Sequence, residues 1–477
     1  MLRLLQRRSH LRWSTEGHAD NPDFKLPRMA SLVTITAMNL LLQTSFFIIV
    51  SSSNKYAEYL GGDATFSGIV IGIPTVFSGL SLIPMTRLGL TRLYSGKYTM
   101  PLHVSCAAAI LGNILYAVAY RANFLYLILI GRCVTGVAFS MFMYCKRYCT
   151  DPRIVGIRRR TTLASCQVIC QGLGMTLGPF AGGLLYKVGF ANSIFNGYTS
   201  PGWVMAGLFA VFWVCAAIWF EDVPDEPQSI ELQPISDLLP THLPIDKHAD
   251  MAEFPVLAPS AVSTRPASPV NETFREQLSQ ITRSQWGVIV CMCWFSMGCF
   301  FILGSWEAGL PVFGASVPQL NWSPYAAGNF IALGGITCFP FLLANLLLAR
   351  RIQDRKLLAF GSFLGLAGLL IFLSLFAASK INYGSLFACW WSVALGFNLA
   401  TTVTLSLLSK QLPPEWNSRT SLAIQYSNYT GRVTGAIWGG SGVSVGMKNF
   451  VGLEIAIVGI GAVLFTSLWR DLKAKTG

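Results

Sequence analysis

The sequence predicts an all-α integral membrane protein of about twelve transmembrane helices, set in two six-helix parallel repeats. Three observations carry this expectation: long apolar runs, basic residues gathered in alternate loops, and a short motif that recurs in both halves. Of the 477 residues, 53% are hydrophobic and 12% are charged, about half the charged share of a soluble chain. A soluble fold could not hide so much apolar surface in one domain.

A span needs about 20 mostly apolar residues to cross the hydrocarbon core. Runs of that length begin near Met29, Phe66, Tyr98, Phe124, Thr162 and Gly202. A second set begins near Trp286, Pro324, Leu357, Ser385, Thr420 and Phe450, the run near Thr420 being polar enough to miss alone. The net charge of +13 is distributed as a topology signal, not as a nucleic-acid site. The amino-terminal tail carries six basic residues, the stretch from Lys146 to Arg160 six more, and Arg350, Arg351, Arg355 and Lys356 follow the eighth span. The intervening loops hold only Lys55, Arg121, Lys187, Lys380 and Lys448. Cytoplasmic loops carry the positive excess, so both termini are expected in the cytosol.

The tail has no apolar core with a cleavage site, so no removable signal peptide is expected. From Glu221 to Arg283, eleven acids and four bases lie among Pro and Ser, a composition that cannot bury a core. The expected organisation is a cytosolic tail over 1–28 and a six-helix half over 29–220. A disordered cytosolic linker over 221–284 follows, then a second six-helix half over 285–470 and a short cytosolic tail over 471–477. Phe274, Leu278 and Ile281 fall at i, i+4, i+7, which suggests a short interfacial helix before span 7. The twelve cysteines fall in spans or near their cytosolic ends, which argues against structural disulfides. Cys145/Cys149 and Cys166/Cys170, each spaced i, i+4, read as packing thiols rather than a metal site.

The halves carry a trace of each other. Arg160-Thr-Thr-Leu-Ala164 recurs as Arg419-Thr-Ser-Leu-Ala423. Downstream, Gly174, Gly178, Pro179, Gly182 and Gly183 recur as Gly431, Gly435, Ala436, Gly439 and Gly440. Parallel six-helix repeats of this kind place a substrate site between the halves. Small residues spaced by four let neighbouring backbones approach closely, and Pro179 removes a backbone donor. The array reads either as a pliable seam between halves that rock or as ordinary close packing.

Charges inside spans are expensive, about 2.5–3.5 kcal/mol at a helix centre on the milder scales. Three stand out: Arg132 in span 4, Glu307 near the outer end of span 7, and Arg432 in span 11. Each is expected to face a wet cavity or a partner. Glu307 is the one carboxylate placed within a span away from the ends of the two halves, and so the candidate for loading and releasing a proton. Gln425, Asn428 and Arg432 lie at i, i+3, i+7 and share one stripe. Asn39 and Gln43 in span 1, and Gln167 and Gln171 in span 5, are each spaced i, i+4. Such stripes suit a polar transport path, or they pair helices to fix packing.

No H-E-x-x-H, nucleophile elbow or phosphate-cradling loop occurs, so an enzyme is not expected. His103 reads as a packed residue near a cytosolic helix end. Asn271-Glu-Thr273 fits a glycosylation sequon, but its cytosolic placement leaves it unused.

The span 5 array resembles the antiporter motif of the major facilitator superfamily. Arg132-x-x-x-Gly136 resembles the span 4 motif whose arginine is implicated in proton coupling. Asp354-Arg355-Lys356 resembles the superfamily's loop signature and implies a cytosolic loop gate; the matching loop from Met85 to Lys97 lacks the acid. A closer likeness is to lysosomal and vacuolar major facilitators of the neuronal ceroid lipofuscinosis type and their SPX-domain-bearing relatives. It is carried by Arg147-Tyr148, Asp151, Arg160-Thr161, Gln171-x-Leu173-Gly174 and Leu177-Gly178-Pro179. Asn196-x-Tyr198-Thr199-x-Pro201-Gly202 and Ser409-Lys410 extend it, and Glu307 resembles that group's acidic residue in span 7. With about 28 residues before the first span, no amino-terminal SPX domain is expected.

The resemblance implies a vacuolar or lysosomal membrane, with the plasma membrane as the alternative. The leading reading is a secondary transporter of a small solute working by alternating access, coupled to protons through Glu307. Its rivals are a channel-like anion conductor, favoured by Arg132 and Arg432, and a non-transporting sensor. The expected partners are a small molecule or ion and the lipid bilayer, with no nucleic acid. The chain is expected to work as a monomer without cofactor or metal.

Overall fold

Backbone polar groups find no water inside a bilayer, so each apolar run must satisfy them within its own helix. The computed structural model describes residues 25–87, 97–151, 153–189, 192–223, 281–348, 352–412 and 416–473. In chain order the first-half helices are α1 (Met29–Phe47), α2 (Ser53–Tyr59), α3 (Ala64–Arg87), α4 (Thr99–Ala122), α5 (Leu125–Phe139), α6 (Met141–Tyr148), α7 (Ile157–Val188) and α8 (Ser200–Trp219). The second half holds α9 (Arg283–Ser316), α10 (Pro324–Leu348), α11 (Asp354–Ala377), α12 (Tyr383–Ser409), α13 (Asn417–Val445) and α14 (Met447–Ser467). No strand occurs among the described residues. Residues 224–280, which hold most of the expected linker, the sequon and all but Ile281 of the expected interfacial segment, lie outside the described residues, as do residues 1–24 and 88–96.

Among the described residues, eleven stretches are long and apolar enough to cross a membrane, α5 and α6 together forming one of them. The twelfth, α13, is 29 residues long. It tolerates its polar residues because it packs between α9 and α3 rather than against lipid. The outward faces are apolar: Val211 and Ile218 on α8, Phe363 on α11 and Val463 on α14 are all exposed. Apolar patches of this extent are suited to a membrane.

The main helix contacts of the first half have counterparts six spans later. α1 packs on α7 as α9 packs on α13, and α4 on α5 as α11 on α12. Likewise α3–α5 matches α10–α12, and α4–α8 matches α11–α14. The halves meet chiefly through two equivalent pairs, α3 with α13 and α10 with α7, with a smaller contact between α3 and α9.

The glycine array shows this repeat atom by atom and corrects one expectation. Gly174, Gly178 and Gly182 press on α1, where an added Cβ would meet Gln43, Phe47 and the Ile48 carbonyl. Gly431, Gly435 and Gly439 press on α9 in the same way, against the carbonyls of Met297, Phe301 and Ser305. These stripes are seams inside each half, not between the halves. Only the last glycine of each array faces across: Gly183 toward Pro324 and Tyr325 of α10, Gly440 toward Ala64 and Gly68 of α3.

Candidate functional site

Two opposite charges inside spans meet where α9 and α13 approach α1. Arg432 pairs with Glu307 at 2.5 Å, and the carboxylate is 1% exposed. This approach is possible because α13 runs so close to α9 that a Cβ on Gly304 would lie 3.0 Å from the Arg432 carbonyl oxygen. The Arg432 guanidinium also sits over Phe46 and Phe47 of α1, 5.1 and 5.0 Å from their ring centroids. Cation–π contacts of this kind strengthen when desolvated. One side chain thereby joins both halves.

Arg132, on α5, approaches the same ring from the first half. Its guanidinium lies 5.8 Å from the Phe46 centroid and 5.9 Å from that of Phe139. It donates to the carbonyls of Val70 at 3.3 Å and Ser45 at 3.4 Å, while its Nη2 is buried without a hydrogen-bond partner among the described residues. Phe46 therefore lies within reach of a guanidinium from each half. Arg132 is not brought to Glu307 as an ion pair.

The amides act between helices. Asn39 donates to the Gln167 carbonyl at 3.0 Å and accepts from the Gln171 side chain at 3.5 Å. The Gln167 amide reaches Thr36 Oγ1 and Cys149 Sγ, both at 3.3 Å. Gln43 backs onto Gly174. On α13, Asn428 Oδ1 accepts from Ser296 of α9 at 2.6 Å, and Gln425 is half-buried. In the described conformation these contacts tie α1 to α7 and α9 to α13, the helix-pairing alternative for Asn39, Gln167, Gln171 and Asn428.

A second buried carboxyl corrects the reading of Glu307 as the single intramembrane acid. Glu454, in the second turn of α14, is fully buried. Ser305 and Trp306 of α9 are its partners, Trp306 Nε1 donating to Oε2 at 2.9 Å. The signal was present, since an acid four residues into the apolar run that begins near Phe450 is a charge inside a span, like Glu307. Its closeness to Lys448 and to the predicted start of the span disguised it as a helix-end residue.

The face bearing the basic loops is clamped within each half. Asp354, at the start of α11, accepts from Ser406 and Lys410, both at 2.6 Å. Arg355 donates to the Trp469 carbonyl at 3.1 Å and stacks on its ring. In the first half, where the loop lacks an acid, Asp222 supplies one from beyond α8. It accepts from the backbone N–H groups of Tyr98 and Thr99 and from the Thr99 hydroxyl at 2.6 Å. Asp151 closes the same corner, accepting from Tyr98 Oη at 2.8 Å and Arg153 Nη2 at 2.6 Å. At the opposite face, Asn196 Oδ1 accepts from the N–H groups of Tyr198 and Thr199, forming the turn that starts α8. His103 is a packing residue that accepts from Trp213 Nε1 at 2.7 Å.

The profile described as Major Facilitator Superfamily matches residues 33–436. An uncharacterized protein of Schizosaccharomyces pombe is 30% identical, over 98% of this chain and 87% of that protein. An uncharacterized MFS-type transporter of the same yeast is 29% identical, over 96% and 85%. An SPX domain-containing membrane protein of Arabidopsis thaliana is 27% identical over 82% of this chain, which spans 56% of that protein. Among solved structures, a D-xylose–proton symporter superposes with a TM-score of 0.65 at 15% identity, covering 94% of this chain and 99% of that one. A POT family transporter in complex with 5-aminolevulinic acid gives 0.64 at 10% identity, over 94% and 97%. The chain is thus a multi-pass membrane protein that belongs to the Major Facilitator Superfamily.

Proposed function

We propose that this protein is a secondary active transporter that moves a small solute by alternating access and draws on a proton gradient. The single observation that carries this reading is where the halves touch. On α7 the contacts run from Gly172 to Lys187, against Phe339 to Tyr325 of α10. On α3 they run from Ala64 to Gly79, against Gly440 to Tyr426 of α13. These contacts lie between the middle of the helices and the face that carries the 48–63 and 189–199 loops, opposite the basic loops. The positive-inside pattern assigns that face to the lumen or exterior, so the described conformation is sealed on that side. Glycine-lined seams, joined by the Arg432 and Lys187 contacts with aromatic rings and a few hydroxyls, suit halves that separate and re-form.

The site of solute and proton exchange falls at Arg132, Glu307 and Arg432, around Phe46. The protein works as a monomer with both termini and the 221–284 linker in the cytosol, in a vacuolar or lysosomal membrane, a compartment implied by the sequence resemblance to lysosomal and vacuolar major facilitators. A metabolomic comparison of cells with and without the protein identifies the solute. Uptake of that solute into proteoliposomes then decides the mechanism. Saturable, trans-stimulated flux that accumulates against a gradient when a pH difference is imposed supports the proposal. Single-channel current steps support the second reading, an anion conductor, which the two guanidiniums over the Phe46 ring favour but the sealed face does not.

A further inference from the structure

Ser305, Trp306 and Glu307 are consecutive on α9 and point to two different acids' partners. Glu307 turns to Arg432 of α13, whereas Ser305 and Trp306 turn to Glu454 of α14. The two carboxyls have opposite surroundings. Glu307 has a guanidinium; Glu454 has a hydroxyl, an indole N–H and no cation among the described residues. The proton inventory at Ser305 is informative. Its Oγ lies 2.9 Å from the Ile302 carbonyl oxygen and is also hydrogen-bonded to Glu454 Oε1. A serine hydroxyl owns one hydrogen, and a backbone carbonyl can only accept. If that hydrogen goes to Ile302, the bond to Glu454 needs a hydrogen from the carboxyl itself. An ionised carboxylate has none to give, and a buried, unpaired one is strongly disfavoured.

We propose that Glu454 is a proton-binding site, occupied in the described conformation, whose proton stabilises the sealed face. Its carboxyl O–H donates to Ser305 Oγ, the Ser305 O–H donates to the Ile302 carbonyl, and Trp306 Nε1–H donates to Oε2. Every polar atom of the cluster is then satisfied. Losing the proton forces the Ser305 hydroxyl to turn from Ile302 to the carboxylate and places a second negative charge beside α9. Of the elements packed against α14, α9 brings Glu307 and Cys299, α13 brings Arg432, and α11 brings Asp354, Arg355 and Lys356 in its first turn. Arg355 is held at Trp469, past the far end of α14 from Glu454, and Lys448 on α14 itself is exposed. Arg432 is therefore the cation open to competition. Drawing it from Glu307 also draws it from Phe46 and Phe47 in the other half. Gly439, pressed on the Ser305 carbonyl, and Gly440, pressed on α3, carry the same disturbance toward the seal.

The link to the seal rests on the alternating-access reading; the bound proton does not. Infrared spectra of the protein in lipid membranes at neutral pH test the proton without any solute. The carbonyl stretch of a protonated carboxylic acid is expected in the wild type, absent in Glu454→Gln and retained in Glu307→Gln. Gln at 454 can donate to Ser305 and accept from Trp306, so it imitates the protonated form. Ser305→Ala and Trp306→Phe each remove one hydrogen bond and are expected to shift that band, a result that serves if Glu454→Gln does not fold. No such band in the wild type, or a band unmoved by all three changes around Glu454, overturns the proposal while leaving proton coupling at Glu307 standing. A second measurement tests the seal: spin labels replacing Lys187 and Tyr325 should report a short distance in Glu454→Gln that persists at alkaline pH, where the wild type lengthens. Identical pH dependence in both proteins overturns the link between this proton and the seal.

Discussion

Arg432 holds Glu307 of its own half and the rings of Phe46 and Phe47 of the other half at the same time. A buried carboxylate that loses its cation is left uncompensated, a loss of about 3–5 kcal/mol. Arg432→Met is therefore expected to lower the folded yield sharply. Adding Glu307→Gln to it should restore much of the yield, because no orphaned charge remains. Thermal unfolding of the detergent-solubilised variants measures this, and a double variant no more stable than Arg432→Met alone would contradict the pairing.

For transport itself, Glu307→Gln keeps shape and hydrogen bonding but cannot titrate. If Glu307 couples protons, this variant loses accumulation driven by a pH gradient yet keeps solute exchange. Paired uptake with and without an imposed gradient is the check. Unchanged accumulation would leave Glu307 a structural partner of Arg432.

The two adjacent glycines of α7 should behave differently. A Cβ at Gly182 runs into the Ile48 carbonyl inside the first half, whereas one at Gly183 lies 3.1 Å from the Pro324 carbonyl oxygen of the other half. Gly182→Ala is expected to reduce the amount of folded protein, by analogy with overpacking losses of about 1–3 kcal/mol. Gly183→Ala should fold and instead weaken the seal, raising alkylation of a cysteine at Tyr325 from the lumenal side. Equal effects on yield would erase the distinction between the two seams.

Much of the fold was legible because its signals are redundant. Hydropathy, loop charge and the recurring Arg-Thr and glycine arrays all point to the same twelve spans. Even α13 was found despite its polar residues, since Arg419 and Gly431 repeat Arg160 and Gly174. Partnerships were less legible. Spacing shows that Asn39 and Gln43, or Gln167 and Gln171, share a face; it does not show which helix that face meets. Glu307 and Arg432 stood out as charges, but their pairing depends on α9 and α13 crossing at Gly304, Gly431 and Gly435. Glu454 was hidden by its nearness to a predicted helix end, and Asp222 by the linker composition that follows it.

The corner at Asp151 should resist acid. Burial alone pushes this carboxyl up, but the hydrogen bonds from Arg153 and Tyr98 outweigh it and hold the group below its ordinary value. A carboxylate held low contributes stability above its unfolded pKa of about 4 and loses it only as pH falls through the lower folded value. Hydrogen exchange over residues 147–156 is therefore expected to stay slow from neutral pH down to that range. Asp151→Asn should speed it at every pH above that range, on the scale of about 1.5–3 kcal/mol for a charged hydrogen bond. Protection that fades near neutrality would contradict the assignment.

The loop charges also make a topological prediction. A tag inserted near Ser260 should be inaccessible to antibody or protease from the lumenal or outer face of intact membranes. Labelling from that face would reverse the orientation and, with it, the side on which the structure is sealed.

Alternating access is tested most directly by two distances measured in one sample. Spin-label pairs replace Lys187 and Tyr325 on the sealed face, and the exposed Thr162 and Ala344 toward the basic-loop face. The account predicts two populations for each pair, with the first lengthening as the second shortens when pH is changed or solute is added. A single unchanging distance for both pairs, in a protein that still passes solute, would contradict it.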